Sequence, residues 1–385
     1  MHVIILPSTD LTDADYQSIP ARTSTLNGQV PPPRVGHTAV TIDNYIYIFG
    51  GRGGPDMKAL EENGRVWIFD TTNNTWSHLD PNPYFPIPPA RSYHASVASE
   101  HPLPTMSPNI AHVLVDKLPN TTEDLPDPPD PYTYGTIFIH AGCTSDGGRT
   151  SDVWVFDISS RSWSPFPSAP DPPCGGTSLA IVHNRLYRFG GFDGKQEVGG
   201  QIDFLDLSID TFNDKGGQGE MALSPQGLWQ TNTFRPAAAE RNASGPANRS
   251  VTGLVPVSTG QGRSYLLILC GEGQPSTDGH HAAGKFFNDV WSFQLKPEGM
   301  TAASLKDATR QAVKKDTGEA ECAEVRYHDA EGKLVQEGHR RPMGARGWFA
   351  CDGVGDTGGS GGVVVWGGVG DDNQRLGDGW LISVE

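Results

Sequence analysis

Short apolar runs recur along the chain, and five of them end in Gly-Gly or a near variant. They read Ile46-Tyr47-Ile48-Phe49-Gly50-Gly51, Ile137-Phe138-Ile139-His140-Ala141-Gly142, Leu186-Tyr187-Arg188-Phe189-Gly190-Gly191, Leu267-Ile268-Leu269-Cys270-Gly271 and Val363-Val364-Val365-Trp366-Gly367-Gly368. Downstream of each comes a second apolar run: Val66-Trp67-Ile68-Phe69-Asp70, Val153-Trp154-Val155-Phe156-Asp157, Ile202-Asp203-Phe204-Leu205-Asp206, Val290-Trp291-Ser292-Phe293 and Gly379-Trp380-Leu381-Ile382. In the first three units an aromatic follows the closing Asp: Trp76, Trp163 and Phe212. Upstream lies a short segment entered from a turn, Pro-rich in most units, starting at Arg34, Arg91, Gly175, Arg249 and Arg346. Runs of this length bounded by Gly, Pro, Asn and Asp predict short antiparallel strands, four to a unit, labelled a to d. A lone four-stranded sheet cannot bury both of its faces. Sheets stacked radially cover one another.

With the double glycine, the strand-c aromatic and the strand-d Trp recurring together, the chain resembles the kelch repeat over almost its whole length. The resemblance implies an all-β kelch β-propeller of four-stranded antiparallel blades, one domain over residues 1–385. Five blades are complete or nearly complete. The last stops after strand c at Glu385, and two amino-terminal segments, His2–Leu6 and Tyr16–Pro20, are spare strands. Either an amino-terminal strand completes the last sheet of five, or the two form part of a further blade in a six-bladed plan begun partway through, as in a truncated gene model. The second is the preferred expectation, because a new Pro-rich turn follows the pair. It leaves unpaired edges at the seam.

Composition narrows the function classes. The chain has 385 residues with 47 Gly and 31 Pro, and a formal net charge of −16. Such a charge argues against a nucleic-acid or anionic-membrane surface. Five scattered cysteines without a CxxC spacing read as reduced thiols. The amino end is too short for a signal h-region and no apolar run reaches membrane length. A cytoplasmic protein is the expectation.

Three insertions interrupt the repeat, at 101–133, 213–227 and 297–319. The last reads as a short helix, with Thr301 as N-cap, helix formers from Ala302 to Lys315 and Gly318 as stop. Strand alternation puts the b–c and d–a loops on one face of the propeller and the a–b and c–d loops on the other. The insertions fall on the second face.

On the b–c/d–a face, Arg34, Arg91, Arg249 and Arg346 each open a strand a. Four guanidinium groups at one repeat position suggest a ligand-binding site for a small anion, since guanidinium pairs bidentately with carboxylate, sulfate or phosphate. The alternative is that each pairs with a strand-c or loop carboxylate between blades. The same face carries the loop Gly271–Trp291, with Glu272, Asp278, His280 and His281 on a Gly-shaped backbone. Two carboxylates and an imidazole with open positions suit Fe(II), and also Mn(II) or Zn(II). This loop resembles that of plant nitrile-specifier and epithiospecifier proteins, kelch propellers that redirect glucosinolate breakdown with ferrous iron. Their motif is Glu-x-x-x-Asp-x-x-x-His. Glu272 and His280 match its ends, Ser276 stands at its middle, and Asp278 lies two residues on. The resemblance implies a metal site at Glu272, Asp278 and His280, with Fe(II) as cofactor and a metal-assisted, lyase-like activity.

Other chemistry is weakly signalled. Gly50-Gly51-Arg52-Gly53-Gly54 belongs to a turn with no helix after it, so it is no phosphate cradle. His37 and His94 share one repeat position, better suited to hydrogen bonding at the axis than to acid–base work. No residue is assigned a catalytic role. Two readings remain: a specifier-like protein acting on a small anionic molecule, and a non-catalytic kelch scaffold binding a protein partner. Phe85, Ile87 and the 81–89 turn are the candidate apolar patch for the second.

Overall fold

The computed structural model describes residues 2–7, 20–25, 28–101, 134–212, 220–235, 244–276, 282, 284–328, 343–354 and 361–384. Five antiparallel sheets follow one another along the chain, each ordered a-b-c-d. Blade 1 comprises Thr38–Ile42, Tyr45–Phe49, Val66–Asp70 and Thr75–Leu79. Blade 2 comprises Ala95–Ser99, Thr136–His140, Val153–Asp157 and Ser162–Phe166. Blade 3 comprises Ser178–Val182, Arg185–Phe189, Gln201–Phe212 and Glu220–Thr233. Blade 4 comprises Gly253–Ser258, Ser264–Leu269, Val290–Gln294 and Cys322–Glu324. Blade 5 takes Ala350–Val354, Gly362–Trp366 and Gly379–Val384 from the carboxyl end. Its fourth strand is His2–Pro7, antiparallel to Gly379–Val384 from Val3↔Val384 to Pro7↔Trp380.

That pairing corrects one expectation. The amino-terminal strand completes the last sheet and does not found a separate blade. Hydrogen bonding explains the outcome, since the outer edge of Gly379–Val384 would otherwise carry unpaired N–H and C=O groups. Arg326–His328 then adds a parallel fifth strand outside it. Most of the second candidate strand, Tyr16–Pro20, lies outside the described residues. The insertions also differ in detail. Residues 102–133 and 213–219 lie outside the described residues, and Glu220–Gly227 is strand, lengthening the c–d hairpin of blade 3. The helix runs Ala302–Ala312 with Thr301 as N-cap. Thr301 and Ser304 cap each other reciprocally, Ser304 taking the place of the usual Glu or Gln.

The core lies between blades. One apolar cluster joins each pair of blades consecutive in the chain: Tyr47 and Phe49 with Ile137, Ile139 and Trp163; Phe138 with Leu179 and Leu186; Tyr187 and Phe189 with Leu266 and Ile268; Leu267 and Leu269 with Val363 and Val365. Strand b supplies both partners, one set of alternate residues facing forward and the other backward. This is why those runs are continuously apolar in the middle blades.

The double glycine follows from backbone geometry. Its first position is left-handed in every blade, φ +63° at Gly50, Ala141 and +68° at Gly190 among them, and blades 2 and 4 fill it with Ala141 and Cys270. Its second position has φ of +98° to +122° (Gly51, Gly142, Gly191, Gly271, Gly368), outside the left-handed helical well, and is always Gly. A Cβ on Gly142 would stand 2.8 Å from the Ser92 carbonyl and 2.9 Å from His94 Cβ. Gly142→Ala is therefore expected to cost about 2–3 kcal/mol in urea unfolding, whereas Ala141→Gly changes stability by about 1 kcal/mol or less.

Candidate functional site: the b–c and d–a loop face

Each d–a turn is built to one plan. An anchor residue comes first: Arg34, Arg91, Cys174, Arg249 or Arg346. Two residues on, the backbone turns left-handed at Gly36, Tyr93, Gly176, Val251 and Trp348, with φ between +48° and +66°. Strand a begins four residues after the anchor, later than the sequence pattern predicts. The left-handed residues are joined into a collar. Tyr93 N–H donates to Gly36 O (2.7 Å), Gly176 N–H to Tyr93 O (2.8 Å), Val251 N–H to Gly176 O (2.7 Å) and Trp348 N–H to Val251 O (3.3 Å). For Tyr93, Val251 and Trp348 this conformation costs roughly 1–2 kcal/mol each, offset by the collar bonds.

The four arginines are spent inside their own blades. Arg249 Nη1 and Nη2 donate to Asp289 at 2.6 and 2.8 Å, Nη1 also to the Cys270 carbonyl and Nε to Ala247. Arg91 repeats the pattern with Asp152, Ala141 and Pro89. Arg34 does so with Glu62, Gly50 and Pro32, and Arg346 with Asp378, Gly367 and Met343. The strand-c tryptophan donates its Nε1–H to the same carboxylate: Trp67 to Glu62, Trp154 to Asp152, Trp291 to Asp289, Trp380 to Asp378. Each module thus ties the d–a turn, the Gly-Gly bend and strand c together. The arginine side chains are 0–4% exposed, so an anion would have to displace the carboxylates to reach them. At Asp152 burial pushes the carboxyl up, but the bonds and charge of Arg91 outweigh it, and the group sits below the usual range.

Blade 3 departs from the plan. Cys174 replaces the anchor arginine, and a buried pair, Arg188 Nε to Asp203 at 2.8 Å, crosslinks strands b and c. Sequence reading passed over this pair. The visible signal was a charge at a strand-b position that is Ile139 in blade 2 and Ile268 in blade 4.

Of the expected metal ligands, Glu272 is described, while Asp278 and His280 lie outside the described residues. Glu272 opens a short hairpin, pairing with Phe286, and its backbone exchanges two bonds with Ser250. Burial raises its carboxyl to about 7. Beside it Glu197, 6% exposed, has neither carboxylate oxygen in a hydrogen bond. Burial raises Glu197 to about 8. The Ser250 hydroxyl pulls the other way without forming a well-aligned bond, and the Glu272 charge adds to the rise. Glu197 was not singled out from sequence, since nothing local marks a buried Glu in a b–c loop. Among the described residues no group of three or more His, Cys, Asp or Glu is placed to hold a metal ion.

The accessible chemistry at the collar is aromatic. Trp348 is 41% exposed and packs edge-on against Tyr93, ring centroids 5.2 Å apart. Arg52 lies over the Tyr93 ring at 4.6 Å and donates to its hydroxyl. His94 is buried, its Nε2 2.7 Å from Thr38 Oγ1, a hydrogen-bonding placement. Of the expected apolar patch, Ile87 is 40% exposed, and Tyr84 beside it 46%. No helix of the described residues is long and apolar enough to cross a membrane.

Comparison with known proteins agrees with this architecture. The profile of the KLHDC2/KLHL20/DRC7 Kelch-repeats domain matches residues 8–103, and that of the Kelch motif matches residues 132–170. Acyl-CoA-binding domain-containing protein 6 of Oryza sativa subsp. japonica is 27% identical over 196 residues, 49% of this chain and 24% of that protein. Kelch domain-containing protein 3 of Bos taurus is 27% identical over 165 residues, 42% of this chain and 36% of that protein. The matched stretch is thus about a quarter to a third of these relatives' length. Among solved structures, that of YjhT superposes with a TM-score of 0.51 at 13% identity, covering 92% of this chain and 82% of that one, a likeness of fold. Five four-stranded sheets, the repeated Gly-Gly bend and these matches together make the chain a kelch-repeat β-propeller protein.

Proposed function

We propose that this chain is a non-catalytic binding module that engages a protein partner through its b–c/d–a face. The observation that carries the reading is the division of labour on that face. The arginines expected to hold an anion are buried in ion pairs, while Trp348, Tyr93 and Arg52 stand at the axial mouth. An aromatic pair with a stacked guanidinium suits an anchor side chain of a polypeptide. Proximity labelling in cells with the wild type, Trp348→Ala and Arg52→Ala tests this. Partners shared by the wild type and a distal control such as Leu228→Ser should fall about tenfold or more in both site variants. An unchanged set would refute the reading.

A second reading keeps the metal. The Glu272 charge acts on the buried Glu197, whose carboxylate oxygens accept no hydrogen bond; a divalent cation would neutralise both, and Fe(II) accepts such donors alongside imidazole. On this reading Fe(II) would supply Lewis-acid or one-electron chemistry to a small anionic ligand, as in the specifier-like proteins the loop resembles. Metal would compete with protons, so affinity should rise with pH up to about 8. Anaerobic calorimetric titration of Fe(II) is the test, with Glu272→Gln and His280→Ala beside the wild type. Stoichiometric binding lost in both variants supports the site, and no heat in the wild type ends it.

A further inference from the structure

Four departures from the repeat meet at the interface of blades 2 and 3. The last residue of each strand b faces forward, towards the next blade, and the last but one faces backward. In three interfaces these two positions share one apolar cluster: Phe49 with Ile139, Phe189 with Ile268 and Leu269 with Val365. Between blades 2 and 3 they are His140 and Arg188, two residues along their strands from Phe138 and Leu186 of the shared core. Opposite Arg188 on strand c stands Asp203, where the other blades carry Trp67, Trp154, Trp291 and Trp380. Cys174 replaces the anchor arginine of the same blade. His140, Arg188 and Asp203 are 0–2% exposed.

The polar atoms of this layer are only partly used. Asp203 accepts from Arg188 Nε (2.8 Å), from Gln201 Nε2 and from Thr231 Oγ1. The Nε bond is the one hydrogen bond of the Arg188 guanidinium among the described residues, and Nη1 is buried without a partner. The four anchor arginines, by contrast, spend Nε, Nη1 and Nη2 alike. His140 Nδ1 lies 3.0 Å from the Asp152 carbonyl, which can only accept, so Nδ1 carries the proton and Nε2 a lone pair. Nε2 too is buried without a partner. Burial first, and then the Arg188 charge, lower the imidazole to about 3. A guanidinium fork and an imidazole lone pair, in a layer that three other interfaces fill with hydrocarbon, call for a polar partner.

Charge balance narrows what that partner is. Arg188 is paired with Asp203, and Arg91 with Asp152. Burial pushes the Cys174 thiol up, so it adds no charge. An anion entering alone would be an uncompensated buried charge, whereas an anion entering with one proton is not. We propose that Arg188 and His140 form a binding site for one small oxyanion of the carboxylate class, taken up together with a proton. The oxyanion accepts from the Arg188 fork, as carboxylates do from guanidinium groups. The proton goes to His140 Nε2, which then donates to the same anion. The bound ion links strand b of blade 2 to strand b of blade 3, in the layer where the other blades interlock by packing.

The test uses the full chain with formate as probe, chloride at equal ionic strength as reference and a buffer free of carboxylate. At pH 5 formate should raise the urea midpoint saturably above that in chloride. Its half-saturating concentration should rise about tenfold at pH 6, because one proton is bound with each anion. The 15N resonance of His140 Nε2 should move from the lone-pair to the protonated form as formate saturates. His140→Phe, which puts back the residue type of Phe49 and Phe189, should abolish the difference between formate and chloride. Arg188→Lys, which keeps the charge but not the fork, should weaken formate at least about tenfold. Equal midpoints in formate and chloride for the wild type would overturn the proposal, since water alone would then complete the layer. A formate effect that persists in His140→Phe, or that is the same at pH 5 and 6, would overturn it as well. Should His140→Phe not fold, the wild-type 15N resonance decides: an Nε2 that keeps its lone pair in saturating formate refutes the site, and one that gains the proton supports it.

Discussion

Arg249→Met is expected to lose at least about 3 kcal/mol of stability, the largest effect of any single arginine substitution in the chain. The side chain is fully buried and makes four hydrogen bonds. Its guanidinium lies over the Phe287 ring at 4.1 Å. Methionine fills much of the volume but leaves Asp289, 19% exposed, with only the Trp291 indole among these partners. It also leaves the Cys270 carbonyl without its guanidinium donor, at a bend already held left-handed at φ +50°. A carboxylate that loses its guanidinium in that setting is what makes breaking one side of a buried pair costly. Arg249→Lys keeps the charge but not the planar fork, and is expected to recover less than half of the loss. Arg249→Met combined with Asp289→Leu should recover most of it. Urea unfolding of the four proteins measures the cycle. A stability loss below about 1 kcal/mol in Arg249→Met, with an intact fold, would mean that the arginine is held in reserve for a ligand.

That distinction could not be drawn from sequence, and the reason is physical. The repeat of apolar runs fixed strand order and blade type because burial on both faces needs continuous apolar strands, and Gly-Gly marks a bend that side chains cannot follow. Ile46 to Gly51 or Leu267 to Gly271 could hardly fold otherwise. Side-chain direction carries no such periodic signal. Arg34, Arg91, Arg249 and Arg346 were seen to share a position, but their target lies just ahead of strand c, at Glu62, Asp152, Asp289 and Asp378. Only register across three strands brings them together. Sequence could not choose between the two roles open to the amino-terminal strand, because pairing between residue 3 and residue 384 leaves no local trace. Glu197 and the Tyr93–Trp348 contact are likewise products of long-range packing, though Tyr93 and Trp348 do occupy the turn position that Gly36 and Gly176 fill elsewhere.

Stability should also peak on the acid side of neutrality and then collapse steeply. Two buried histidines and two glutamates, Glu197 buried and Glu272 half-buried, titrate in opposite senses. His94 and His140 are fully buried, and burial first, then neighbouring arginine charge, lowers each to about 3. The unfolded chain takes up these protons near 6.5, so stability is lost as pH falls from 6.5 towards 3, by up to roughly 4–5 kcal/mol per histidine. Glu197 and Glu272 behave in the other direction. Their folded values, about 8 and about 7, lie above the ordinary carboxylate value, so their contribution is complete at about pH 4.5 and is lost as pH rises through 7 and 8. Between 6.5 and 4.5 the two effects oppose each other. Below 4.5 only the histidine loss continues, joined by protonation of the arginine-paired Asp152 and Asp378, whose carboxyls are held low. Urea midpoints at pH 8.5, 7, 5.5 and 4 should therefore be highest at 5.5 and fall away on both sides. His140→Asn, with no proton to take up, should flatten the acid limb, and Glu197→Gln the alkaline limb. The latter change removes a charge that burial disfavours, so Glu197→Gln should be more stable than the wild type at pH 8.5 and close to it at pH 4. A wild-type maximum at or above pH 8 would show that these four groups keep solvent contact in the folded protein.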